Sequence, residues 1–128
     1  MTKGPGTWGF DQTGMYERLT ANYAKLAREN GFSVIPTGKA VQLFRTRRPV
    51  TEVDEDVVGN FWTDESGVAH ADSIHLNRDG EYLQACVWTA KLFGADVTKL
   101  ASVPETLKTP ANAALLRACA RDAVEEGI

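Results

Sequence analysis

The sequence has no long apolar run, whereas crossing a bilayer takes roughly 20 consecutive apolar residues. The first segment, MTKGPGTWGF, also lacks the apolar h-region of a signal peptide. These absences argue against a membrane-spanning protein. They predict a soluble chain with no membrane partner and no export signal in this sequence.

Cysteine is scarce, because the chain contains only Cys86 and Cys119. They form neither a disulfide framework nor a CxxC metal motif, so we expect two core thiols and no metal or cofactor. Charge is nearly balanced as well, since 17 acidic and 14 basic residues give a net charge of −3. Without a strong positive field, we expect no nucleic-acid partner.

The length of 128 residues and the apolar content of 43% are sufficient for one domain with its own core. We therefore predict a single domain over residues 1–128. Residues 1–12 are rich in glycine and predict a loop or a short extended piece, with a doubtful strand at residues 7–10.

Apolar spacing and end signals predict four helices in the rest of the chain. Serine, threonine and asparagine favour helix starts, glycine favours left-handed ends, and proline stops a helix or occupies its first position. The first predicted helix starts at Thr13 and ends at Gly31, and the second ends at Pro49. The third starts at Asn77 and ends at Gly94, and the fourth starts at Thr109 with Pro110 in its first position.

The segment GFSVIP between the first two helices predicts a short buried parallel strand at Phe32, Val34 and Ile35. Residues 50–71 predict a long surface loop. A lone strand cannot make a sheet, because each unpaired buried peptide group costs roughly 1–3 kcal/mol. Either the other strands belong to polypeptide elsewhere, or the strand prediction is wrong.

Asp72 lies three residues before His75, just ahead of the third predicted helix. On a helical turn this spacing places both side chains on one face. A carboxylate bonded to one ring nitrogen orients an imidazole and stabilises its protonated form, as a general base beside a hydroxyl nucleophile requires. The pair is therefore the candidate catalytic site.

The second histidine, His70, is expected to face solvent from a polar loop. A less favoured alternative is a metal site shared by His70 with Asp64, Asp72 and His75, whose spacing matches no metal signature.

Residues 72–94, DSIHLNRDGEYLQACVWTAKLFG, resemble the last sequence block of the SGNH (GDSL-like) hydrolase superfamily, a D-x-x-H followed by a polar residue, a glycine and a helix. Residues 23–42, YAKLARENGFSVIPTGKAVQ, resemble the helix, strand and P-x-G-x-A segment that precedes that block in esterase-like members. The resemblance covers most of residues 8–94, and the last helix looks like the terminal helix of some members.

The resemblance implies an α/β fold, a flavodoxin-like three-layer α/β/α sandwich around a parallel sheet. This chain would supply a helix-rich part of it with one or two parallel strands. It also implies hydrolysis of a small or carbohydrate-linked ester by a serine nucleophile. His75 would be the base that activates the serine, and Asp72 would orient His75.

The nucleophile and oxyanion-hole blocks of that family have no counterpart in this sequence, which contains no GDS and no GxND. No nucleophile motif surrounds any of its serines, which are Ser33, Ser66, Ser73 and Ser102. We therefore expect the carboxyl half of such a domain, inactive alone and completed at an exposed sheet edge by a second copy or another chain. The alternative is a non-catalytic α/β or helical interaction module.

Overall fold

The structure is a computed structural model that describes residues 11–49 and 55–128. Over these residues the chain is an α/β protein, mostly helical, with a two-stranded antiparallel sheet. Its elements are α1 (Gln12–Asn30), α2 (Thr37–Arg47), β1 (Val58–Thr63), β2 (Ala69–Leu76), α3 (Arg78–Phe93) and α4 (Ala113–Glu126), with 3₁₀ turns at Val97–Lys99 and Pro110–Asn112. No helix within this part of the chain has the length and apolar content to span a membrane. The doubtful strand at residues 7–10 lies outside the described residues.

The four predicted helices are confirmed, but not all of their predicted ends. The α-helix α4 begins at Ala113, after a 3₁₀ turn at Pro110–Asn112, and the side chain of Thr109 makes no capping hydrogen bond. Gly31 takes up the left-handed conformation, with φ of 70°, that ends α1, and Asn77 caps the start of α3. The N-cap of α1 is Asp11 rather than Thr13, since the carboxylate of Asp11 accepts a hydrogen bond from the N–H of Gly14 at 2.9 Å.

The core lies between α2, α3 and α4, where Phe44, Leu83 and Leu116 are fully buried. Cys86 and Cys119 are buried free thiols, as predicted, and burial raises the pKa of each. Helix α1 contributes no buried residue. The described body is therefore a three-helix core to which α1 and the hairpin are attached.

Two predictions are wrong, namely the buried strand at residues 32–35 and the long loop over residues 50–71. Residues 32–36 form no strand but run without helix, turn or bend, and Phe32 is exposed. A strand needs a neighbour to pair with, and the described residues place none beside this segment. Residues 50–54 of the predicted loop lie outside the described residues, and its remainder, residues 55–71, contains β1 and the start of β2, which pair with each other.

Replacing Leu116 by Ala should lower the free energy of unfolding by about 2–5 kcal/mol, because it leaves a cavity in the three-helix core. Leu19 on α1 is 44% exposed, so Leu19→Ala is the matched control, with a change of about 0.5 kcal/mol or less. Urea denaturation measures both. Equal losses in the two variants would contradict the placement of the core.

Candidate active site on the hairpin

The β1–β2 hairpin is closed by a loop that Asp64 organises. Its carboxylate Oδ1 accepts hydrogen bonds from the N–H groups of Ser66 and Val68, both at 2.9 Å. Gly67 in this loop has φ of 82°, a conformation that glycine adopts without strain. The loop thereby fixes which residues of the two strands face each other.

One face of the hairpin carries a group of mostly polar side chains. Asn60 pairs with Asp72, and Trp62 pairs with His70. Directly paired residues share a face, and so do residues two apart along a strand, which places these four side chains together. Both histidine-bearing clusters of the chain therefore belong to the same hairpin.

An irregularity in the strand pairing shapes the candidate site. Val58 pairs with Leu76 and Asn60 pairs with Asp72, so Gly59 alone stands opposite residues 73–75. Gly59 has φ of 117°, which only glycine adopts readily. Bulges of this kind bend a strand and redirect its side chains. In a regular strand, residues three apart lie about 10 Å from each other and on opposite faces.

The predicted contact between Asp72 and His75 is present, but on a bulged strand rather than on a helical turn. Nδ1 of His75 lies 3.0 Å from Oδ2 of Asp72. The other oxygen, Oδ1, accepts a hydrogen bond from the N–H of Ile74 at 3.0 Å, and Nδ2 of Asn60 lies 3.4 Å from Oδ2. The carboxylate is thus held by its own strand and by β1.

The protonation of the ring follows from its partner. An ionised carboxylate only accepts hydrogen bonds, so Nδ1 of the neutral His75 ring carries the proton and donates it towards Asp72. The N–H of Ile74 and then the ring of His75 hold the pKa of Asp72 below its usual value, despite some desolvation. The lone pair of the neutral ring is therefore on Nε2, where a general base needs it.

The His75 ring lies at an open surface. Its side chain is 76% exposed, whereas that of Asp72 is 20% exposed. Within the described residues, no hydrogen bond reaches Nε2 and no serine bonds to the ring. A groove of about 530 Å³ beside α1 and a smaller cavity of about 270 Å³ beside Gly94 are both lined by other residues. The pair is therefore assembled, but the described chain does not enclose it.

Asn77 joins the hairpin to the helical body. Its Oδ1 accepts hydrogen bonds from the N–H groups of Asp79 and Gly80, both at 3.1 Å, and so caps α3. Its Nδ2 donates to the carbonyl of Asp56 at 2.7 Å, and its own N–H donates to the carbonyl of Val57 at 3.0 Å. Both ends of the hairpin are thus tied to the start of α3, two residues after His75.

Two carboxylates extend this junction through hydrogen bonds. Arg45 of α2 binds the carboxylate of Asp56 through two nitrogens, at 2.8 and 3.1 Å. The buried carboxylate of Asp79 accepts hydrogen bonds from the N–H groups of Lys108 and Thr109. The segment before α4, the start of α3 and the hairpin are therefore connected.

His70 is partly exposed, as expected, but it also has partners. Its Nε2 lies 2.7 Å from Oδ2 of Asp64, and its ring stacks on Trp62 with centroids 5.3 Å apart. This contact and the N–H groups of Val68 and Ser66 lower the pKa of Asp64. Over residues 11–49 and 55–128, no three acidic, histidine or cysteine side chains are placed to hold a metal ion.

The Asp64 contact of His70 and the Asn60 contact of Asp72 were not predicted from the sequence. A signal for both is present in it: the run DESG, typical of a hairpin loop, follows a segment rich in aromatic and β-branched residues, VVGNFWT.

No family model, curated protein or solved structure matches the chain. The resemblance of residues 72–94 to an SGNH block therefore remains a prediction, and the chemical case depends on the geometry of the Asp72 and His75 pair.

The carboxyl group of Asp72 should titrate below the usual aspartate value of about 3.9, as followed by carbon NMR. His75→Ala should raise that midpoint only part of the way, because the stronger contribution of the Ile74 N–H remains. Since the pKa is lower in the folded state, ionised Asp72 stabilises the fold above the unfolded pKa. This stabilisation is lost as the pH falls through the folded pKa. His70→Ala is the control and should shift the pKa of Asp64 instead of that of Asp72. An ordinary aspartate pKa for Asp72 would contradict the contact.

Replacing Gly80 by Ala should destabilise the protein by about 1–3 kcal/mol or more, because a Cβ there would collide with the carbonyl oxygen of Val57. Gly38 near the start of α2 is the matched control. A Cβ at Gly38 would lie 3.4 Å from the Tyr16 ring, an ordinary contact, so Gly38→Ala should leave stability equal or higher. Thermal unfolding measures both, and a stable Gly80→Ala variant would contradict the close junction.

Proposed function

We propose that this chain supplies the His/Asp half of an ester-hydrolysing site of the SGNH serine hydrolase type. The proposed domain is a partial three-layer α/β/α sandwich, and its remaining strands, nucleophile serine and oxyanion donors belong to polypeptide outside this sequence. His75 acts as the general base, and Asp72 is its positioning residue. The observation that carries the proposal is the 3.0 Å contact between Nδ1 and Oδ2, which leaves Nε2 of an exposed ring available.

The chemistry follows from that available nitrogen. Nε2 of His75 takes the hydroxyl proton as the serine oxygen attacks the ester carbonyl. The protonated ring then gives this proton to the departing alkoxide, which leaves an acyl-enzyme and a neutral ring. In the second half, His75 takes a proton from water, whose oxygen attacks the acyl group. The protonated ring then gives this proton to the departing serine oxygen, which releases the acid and restores the serine hydroxyl and the neutral ring. Asp72 stabilises the protonated ring in both halves.

The proposed site is incomplete without its partner polypeptide. A base with no hydroxyl beside it has nothing to activate, and each oxyanion donor is worth roughly 10²–10³ in rate. We therefore expect the isolated chain to be inactive and to need the polypeptide that carries the nucleophile serine and the oxyanion donors. For the substrate, a small or carbohydrate-linked ester is favoured by the family resemblance alone.

A non-catalytic interaction module is the second candidate. The observation that favours it is the exposure of large apolar side chains on two helices, Leu26 of α1 and Trp88 of α3 among them. Exposed apolar patches of this kind commonly mark surfaces that bind a partner.

The test is hydrolysis of a short-chain aryl ester by the protein expressed from its complete gene. His75→Ala should lower kcat/KM by about 10²–10⁴-fold, because the base is lost. Asp72→Asn should lower it as well and shift its pH profile, since the ring loses its carboxylate. His70→Ala is the matched control and should stay within a few-fold.

Two results would decide against this proposal. Hydrolysis that His75→Ala leaves unchanged would remove His75 from the reaction. Absence of ester hydrolysis in the complete protein, with the fold intact by circular dichroism, would favour the interaction module.

A further inference from the structure

The segment over residues 33–35 has backbone groups without partners. The N–H of Phe32 bonds to α1, and the carbonyl of Ile35 accepts from Thr37. Within the described residues, the N–H groups of Ser33, Val34 and Ile35 and the carbonyls of Ser33 and Val34 make no hydrogen bond. The segment contains no helix, turn or bend, and three residues at the usual rise of a strand would span about 10 Å.

The same segment lines the groove of about 530 Å³. The groove is also lined by apolar side chains of two helices, namely Leu19, Tyr23 and Leu26 of α1 and Trp88 of α3. These side chains are 44–51% exposed, although three of them lie on one face of α1. A helix with an apolar face gains little stability unless that face is covered, and α1 has no buried residue at all.

We propose that this groove binds an extended apolar β-strand of another polypeptide, which pairs with the backbone of residues 33–35 and covers α1 and Trp88. A strand is the one occupant that meets both needs, because it offers backbone donors and acceptors at the right spacing along with apolar side chains. An apolar small molecule would cover the side chains and leave the peptide groups unpaired.

A second copy of the chain is the competing occupant, because it carries the same segment over 33–35, and the oligomeric state distinguishes it from a strand of another polypeptide. The docking site does not depend on ester hydrolysis, since none of its residues belongs to the Asp72 and His75 pair.

The experiment uses the whole chain and a short synthetic peptide of alternating valine and threonine with lysine at its ends. In the free chain, the amides of Ser33, Val34 and Ile35 should exchange with deuterium almost as fast as in an unfolded peptide. Saturation with the peptide should protect these amides, and calorimetry should detect binding.

A control peptide with the same side chains carries N-methyl groups on alternate backbone nitrogens. It should bind about tenfold more weakly or not at all, because it lacks the donors for pairing. Trp88→Ala should weaken binding of the unmodified peptide. Trp62→Ala is the matched variant, since Trp62 is exposed to a similar extent on the hairpin, and it should leave binding unchanged.

Each alternative outcome would overturn the proposal. Protected amides in the free chain would mean that the segment is already paired. Equal binding of both peptides would reduce the groove to an apolar patch, and absence of binding would remove the strand as its occupant. Sedimentation showing a dimer that protects these amides would assign the groove to a second copy.

Discussion

The hydrogen bonds of Asn77 are the constraint on which the candidate site depends. One amide side chain caps α3 and donates to the carbonyl of Asp56, while the N–H of the same residue binds the carbonyl of Val57. The strand that carries His75 therefore cannot move independently of the helical core. The close approach of Gly80 to the Val57 backbone allows this junction, because any side chain there would separate them.

Above that junction, the bulge opposite Gly59 converts an ordinary strand into a candidate catalytic pair. It brings a carboxylate and an imidazole three residues apart into contact, with the carboxylate also fixed by the N–H of Ile74. The pair needs no distant segment for its own geometry. Within residues 11–49 and 55–128, no hydroxyl bonds to the ring of His75 and no strand pairs with the segment over 33–35. The proposed site and the proposed sheet would both be completed by other polypeptide.

The sequence predicted features that depend on residues close together in the chain and missed those that depend on a distant segment. Helix ends are set by side chains within a few residues, so Gly31 was sufficient to locate the end of α1, and Asn77 and Gly94 both ends of α3. Strand pairing depends on a partner elsewhere in the chain. The apolar run at residues 32–35 was therefore mistaken for a strand, and residues 55–71 were mistaken for a loop. The contact of Asp72 with His75 was predicted correctly for the wrong local geometry, because either a helical turn or a bulge brings these positions together.

The central claim is that Asp72 fixes the ring of His75 with its proton on Nδ1 and its lone pair on Nε2. Nitrogen NMR of the imidazole ring, recorded above the pH at which the ring loses its charge, reports which nitrogen carries the proton. The account predicts a protonated Nδ1 and an unprotonated Nε2 for His75, and a loss of this preference in Asp72→Ala. A ring protonated mainly on Nε2, or one whose tautomers ignore Asp72, would contradict it.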